Sequence, residues 1–224
     1  MGRIKLKDRI LPNYSKREEL INMITHIVGG TIGFVALLLC VIFAARSNNG
    51  YALAGAIVFG LSMIILFTMS SLYHGLSSKL TAKKVFQIFD HCAIFILIAG
   101  TYTPILLTKI REHNPTLAWS MFVLIWGMAI IGIVLNSIDL KKYKKFSMIC
   151  YLTMGWCVLF TAPNLVDMLG VPAVILLACG GIVYTIGAIL YVMGRKRKYF
   201  HSVWHMFVNV GATLHFLCIL LFVI

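Results

Sequence analysis

Two histidines one helical turn apart, His201 and His205, stand at the head of the last apolar segment, directly after the basic run Arg195, Lys196, Arg197 and Lys198. Side chains at i and i+4 share one helical face, so this pair can present two imidazoles to a single metal ion. His74 closes the second apolar segment in the sequence Ser70-Ser71-Leu72-Tyr73-His74, and Asp90 is the one carboxylate committed to a span, about a turn inside the third. Three neutral imidazoles satisfy three positions of a tetrahedral zinc ion at about 2.0–2.1 Å and leave the fourth for water, whose pKa falls toward about 7. A nearby carboxylate can act as base or orient a ligating imidazole, and a hydroxyl can help position a carbonyl oxygen. The expected metal ligands are therefore His74, His201 and His205, with Asp90 and Ser70 in catalytic roles. That is the residue set of a hydrolase.

The elements that must position these groups are membrane helices. Of 224 residues, 60% are hydrophobic and 12% charged, and the mean hydropathy is +0.92, far beyond the needs of a soluble domain of this size. Apolar windows recur at about 20–45, 51–73, 86–108, 117–137, 146–164, 171–194 and 202–224. Each approaches the ~20 residues that a helix needs to cross about 30 Å of hydrocarbon. The fifth is the weakest, because Pro163 and Asn164 close it early and Thr153, Gly155 and Trp156 dilute it.

Charge decides the count in favour of seven. Seventeen of the 20 Lys and Arg fall in the N-terminal arm and in alternate connections, whereas Arg46, Lys109 and Arg111 alone occupy the others. The positive-inside rule then sets the N-terminus in the cytoplasm and the C-terminus outside. The reading is an all-α integral membrane protein: a basic cytoplasmic arm over 1–19 and one seven-helix transmembrane bundle over 20–224. In that topology His74, Asp90, His201 and His205 all lie at the cytoplasmic face, which is what turns scattered residues into one site.

The net charge of +13 is a topology signal, suited to anionic inner-leaflet lipids rather than to nucleic acid, since no stacking aromatics interleave with the basic residues. No short apolar region with a cleavage site follows the arm, and Leu6 stands where a myristoylation signal needs Ser or Thr. Cys40, Cys92, Cys150, Cys157, Cys179 and Cys218 all lie in apolar windows without CxxC spacing and read as buried small side chains. A retinal protein is excluded because no lysine lies inside the last window, and a G-protein-coupled receptor would carry its N-terminus outside.

Other polar groups have plainer readings. Glu19, Asn22 and His26 form a stripe on the first window that either faces the metal cavity or serves packing. His215 lies fourteen residues beyond His201, about 21 Å further along a helix and too far for the same ion. His91 points about 100° away from Asp90 around its helix and is left out of the ligand set. Gly100, Pro104 and Gly211 read as packing or kink positions.

Ser70-x-x-x-His74, Asp90 and His201-x-x-x-His205, in that order on seven helices, resemble the progestin and adipoQ receptor family. The stretch Ser70 to His74, the run Asp90-His91-Cys92-Ala93-Ile94-Phe95 continuing to Ala99-Gly100-Thr101-Tyr102-Thr103-Pro104, and the early Thr25-His26 are similar to its bacterial haemolysin III branch. The likeness runs from about Glu18 to the end of the chain. It implies a seven-helix bundle in the bacterial plasma membrane, holding zinc through His74, His201 and His205 with Asp90 and Ser70 around the metal-bound water. It also implies kinship with membrane hydrolases that include the alkaline ceramidases.

The expected function is a zinc-dependent hydrolase of a lipid amide or ester near the cytoplasmic leaflet. A membrane-damaging haemolysin and a non-catalytic, zinc-stabilised receptor or regulator stand as alternatives.

Overall fold

Apolar side chains all round and polar groups confined to one stripe are what a helix needs to sit in lipid while contacting its neighbours. In a computed structural model, which describes residues 6–161, 164–194 and 197–224, the chain forms such helices and, among the described residues, no strand. Six are long and apolar enough to cross a membrane: α1 (Lys16–Arg46), α2 (Gly50–Gly75), α3 (Thr81–His113), α4 (Pro115–Thr161), α5 (Val171–Met193) and α6 (Phe200–Val223). Large apolar side chains such as Phe34, Val123, Ile131, Ile149 and Leu221 stand exposed along these helices. The protein is a multi-pass membrane protein.

The seven sequence windows thus fall on six helices. The fourth and fifth share α4, whose 47 residues are about twice what one crossing needs. The helix is interrupted at Asp139, which has φ −156° and ψ 95°. The Asp139 carboxylate accepts the backbone N–H groups of Lys141 and Lys142, both at 3.0 Å, which is how an N-cap residue opens a helix. The connection expected around Lys141 to Lys145 is instead one residue followed directly by a new helical rod. Pro163, and Arg195 and Lys196 of the basic run, lie outside the described residues.

Helix α1 begins with a capping box. The Ser15 hydroxyl accepts the Glu18 N–H, and Glu18 Oε2 accepts the Ser15 N–H at 2.9 Å. Its buried residues Glu18, Asn22, His26, Gly29, Gly33, Ala36, Cys40 and Ala44 recur every three or four positions, polar in the first turns and small beyond them. The small part lets α1 and α2 approach closely: a Cβ on Gly60 would meet Leu37 Cα at 2.6 Å. The polar part faces the ends of α2 and α6.

Helix α2 packs between α1 and α3, α6 packs against α1 and α5, and α4 lies against α3. Packing between α4 and α5 is thin, and a cavity opens there, walled by α3, the second half of α4, α5 and α6. It offers about 140 Å³ to the centres of water molecules and is mostly apolar. Pro104 stands in α3 ahead of a π turn over Leu106–Ile110, where Thr108 Oγ1 donates to the Pro104 carbonyl at 2.7 Å.

Candidate metal centre

The last turn of α2 and the first turns of α6 bring three imidazoles together. His201 Nε2 lies 3.3 Å from His74 Nε2 and 3.1 Å from His205 Nε2, and one ligand nitrogen from each histidine falls within 4.8 Å of the others. Two ligands about 2.05 Å from a tetrahedral zinc stand about 3.3 Å apart, so both edges suit that ion.

Neighbours on α1 fix which nitrogen faces inward. Glu19 Oε2 lies 2.6 Å from His74 Nδ1, so Nδ1–H donates to a carboxylate and the Nε2 lone pair is left free. His205 Nδ1 donates to the Asn22 carbonyl at 3.3 Å, with the same result. Two lone pairs therefore face His201 Nε2, which has at most one proton to give. Hydrogen bonding among the three leaves a buried acceptor unmet, whereas a cation satisfies all three. The residues fit a zinc ion.

Helix α1 organises much of what surrounds them. Glu19 Oε1 also accepts from Lys83 Nζ at 2.8 Å, and the same ammonium donates to the Leu76 carbonyl at 2.9 Å, closing the α2–α3 connection over the site. Asn22, fully buried, accepts from Ser202 Oγ at 2.6 Å and so ties α1 to α6. Glu18 Oε1 accepts the backbone N–H of Tyr199 at 2.8 Å, where a φ of 65° turns the chain into α6. Before α1, Tyr14 lies beside His74 and His201. Burial, reinforced by the nearby Tyr191 and Asp90, raises its phenol above the ordinary value, so the hydroxyl stays protonated.

Asp90 is brought to the same cavity as His201 and His205 but not into hydrogen-bonding contact with them. Among the described residues its carboxylate approaches His91 Nδ1, at 3.5 Å, while that nitrogen donates to the Gln87 carbonyl at 2.9 Å. Ser70 Oγ is buried one turn before His74 and has no hydrogen-bond partner among the described residues. His26 stacks on His205 with ring centroids 3.8 Å apart, and both its nitrogens are buried without a partner among the described residues. His215 stands at the far end of the cavity and donates to the Leu177 carbonyl at 3.3 Å.

The sequence signalled part of this arrangement through the Glu19, Asn22 and His26 stripe. It gave no sign that Glu19, rather than Asp90, is the carboxylate touching His74, and none of the parts played by Lys83 and Tyr14.

A family model described as haemolysin-III related matches residues 14–216, from Tyr14 through both ends of the histidine cluster. The chain belongs to the haemolysin-III family. Within it, Hemolysin-3 of Bacillus cereus is 36% identical over 93% of each chain. A Hemolysin-3 homolog of Bacillus subtilis is 36% identical over 93% of this chain and 96% of its own length. The human monocyte to macrophage differentiation factor is 31% identical over 72% of this chain and 67% of its own. The haemolysin-III family is thereby related to the mammalian progestin and adipoQ receptor family.

Proposed function

We propose that this haemolysin-III protein is a zinc-dependent membrane hydrolase that cleaves an amide or ester bond of a lipid whose head lies near the cytoplasmic leaflet. The observation that carries the reading is the convergence of three imidazole nitrogens, two of them with tautomers set by α1, beside a largely apolar cavity. His74, His201 and His205 would hold the ion. Bound there, zinc supplies Lewis acidity and brings the pKa of water to about 7.

The chain's own residues do the rest. Glu19 and the Asn22 carbonyl keep Nε2 of His74 and His205 unprotonated and facing the ion. Asp90, on the cavity wall, takes a proton from water as base and returns it to the amine or alcohol that departs as the amide or ester bond breaks, while Ser70 Oγ donates to the substrate carbonyl oxygen. Apolar walls from Ile94, Leu97, Leu152 and Val208 accept an acyl chain and hold bulk water away.

The proposal includes the topology: an arm over 1–19 in the cytoplasm, then one bundle over 20–224 that crosses seven times, with the two halves of α4 crossing separately. Their separation at Asp139, which caps the second half, supports this. Labels at the two termini should react from opposite sides of the membrane; reaction from one side sinks the seven crossings.

Metal analysis of protein purified without added metal tests the site. About one zinc per chain, lost in His201→Ala, followed by release of fatty acid from an amide or ester lipid, is the expected result. Equal metal in wild type and the triple His→Ala variant overturns it. Two other readings each have an observation in their favour. The name of the relatives, Hemolysin-3, favours a lytic protein, for which marker leaks from liposomes independently of His74. The junction of α1, α2 and α6 at the cluster favours a non-catalytic zinc-stabilised regulator, for which lipids stay intact while melting depends on metal.

A further inference from the structure

The three imidazoles are not held alike. His74 is oriented by a carboxylate and His205 by a backbone carbonyl, but His201 Nδ1 is buried and has no hydrogen-bond partner among the described residues. On that side of the ring nothing polar among the described residues fixes its rotation, and the second side-chain torsion of histidine is intrinsically broad. What lies against it is aromatic. Tyr14 stacks on it, with centroids 4.9 Å apart and planes within 14°, and Tyr191 stands at 5.6 Å and 52°. Tyr14 also reaches His74, at 5.8 Å.

The position of Tyr14 is not accidental to a loose arm. The next residue, Ser15, is the N-cap of α1 and is closed into its capping box by Glu18. The other oxygen of the same Glu18 carboxylate holds the N–H of Tyr199, two residues before His201. One side chain thus pins both the end of the arm and the start of α6, and it does so where the phenol ring overlies the imidazole.

We propose that Tyr14 is a positioning residue of the metal centre: its ring, lying flat on His201, sets the imidazole plane so that Nε2 faces those of His74 and His205. The proposal rests on the metal-binding reading of the cluster. The chemistry suits it, because coordination draws electron density out of an imidazole and an electron-rich phenol face attracts such a ring. Rotation of His201 out of the ligating plane would drive its edge into the tyrosine. The amino-terminal arm is then part of the site rather than only a topology signal.

The test uses the full chain in detergent as wild type, Tyr14→Phe, Tyr14→Leu and Tyr14→Ala. Zinc is titrated in competition with a chelator of known affinity, and cobalt(II) is bound in parallel because its visible bands report ligand geometry. Tyr14→Phe keeps the flat ring and should match the wild type in affinity and spectrum. Tyr14→Leu keeps apolar bulk without the ring, and it and Tyr14→Ala should bind zinc about 10- to 100-fold more weakly, with shifted cobalt bands. Should Tyr14→Ala misfold, Tyr14→Leu decides. Wild-type affinity and spectrum in Tyr14→Leu overturn the proposal, as does Tyr14→Phe binding as weakly as Tyr14→Leu, which would assign the role to the hydroxyl. A wild type that takes up no metal overturns the metal reading and this proposal together, whereas metal in the wild type with an indifferent Tyr14→Leu overturns this one alone.

Discussion

At the scale of single residues, replacing Glu19 together with Lys83 is what separates metal binding from folding. Its carboxylate holds the Nδ1 proton of His74 with one oxygen and Lys83 with the other. Glu19→Gln keeps the shape but removes the strong acceptor, so zinc affinity should fall about 10- to 100-fold in a chelator competition. Glu19→Gln also leaves the ammonium of the Lys83 side chain, which is 3% exposed, without its carboxylate, so the metal-free protein should melt lower. Adding Lys83→Met removes the orphaned charge and should restore melting without restoring affinity. If the double variant recovers both, Glu19 is a structural counter-ion and does not orient a ligand. Asp90 gives the opposite pattern: Asp90→Asn should retain zinc in elemental analysis yet lose about 10²- to 10⁴-fold in lipid turnover, because in the proposed mechanism the group it removes handles a proton rather than the ion.

At the scale of elements, the break in α4 carries a stability prediction of its own. Asp139 ends one rod and caps the next through Lys141 and Lys142, so Asp139→Ala leaves two backbone N–H groups without their acceptor and should cost about 1 kcal/mol, read as a lower midpoint in denaturant. Asp139→Asn, which can still cap, should stay close to wild type. The contact between α1 and α2 is less forgiving: Gly60→Ala sets a Cβ 2.6 Å from Leu37 Cα and should cost about 1–3 kcal/mol. The apolar windows and the order of the helices were legible in the sequence, because a helix in lipid must be about twenty apolar residues long whatever it touches. The form of the α4 break was not. Four nearby lysines read as a loop between two windows, and only the backbone shows that one capping aspartate takes its place. The histidine triad was legible because i, i+4 spacing and charge asymmetry together fix face and depth. The partner of His74 was not, because Glu18 and Glu19 are adjacent and only the rotation of α1 against α2 sends one toward Tyr199 and the other toward the histidine.

At the scale of the whole molecule, the cluster joins parts of the chain that are far apart in sequence. α2 contributes His74, α6 contributes His201 and His205, and α1 binds both sets through Glu19 and Asn22. An ion held there would act as a clasp that closes the second and last helices of the bundle on each other, next to the thinly packed α4–α5 seam where the cavity lies. A ligand that binds only the folded form stabilises it by about 2.7 kcal/mol at a hundred times its dissociation constant. Chelating the wild-type protein in detergent should therefore lower its melting temperature, and restored zinc should raise it again in a concentration-dependent way. His201→Ala, with the clasp already open, should melt near the chelated wild type and respond to neither treatment. The two halves of this prediction constrain each other. A wild type insensitive to chelation, with zinc removed as verified by elemental analysis, means that hydrogen bonds through α1 hold the junction without the ion. The metal would then serve chemistry alone, and a bundle intact without zinc would leave lipid turnover as the property that its removal abolishes.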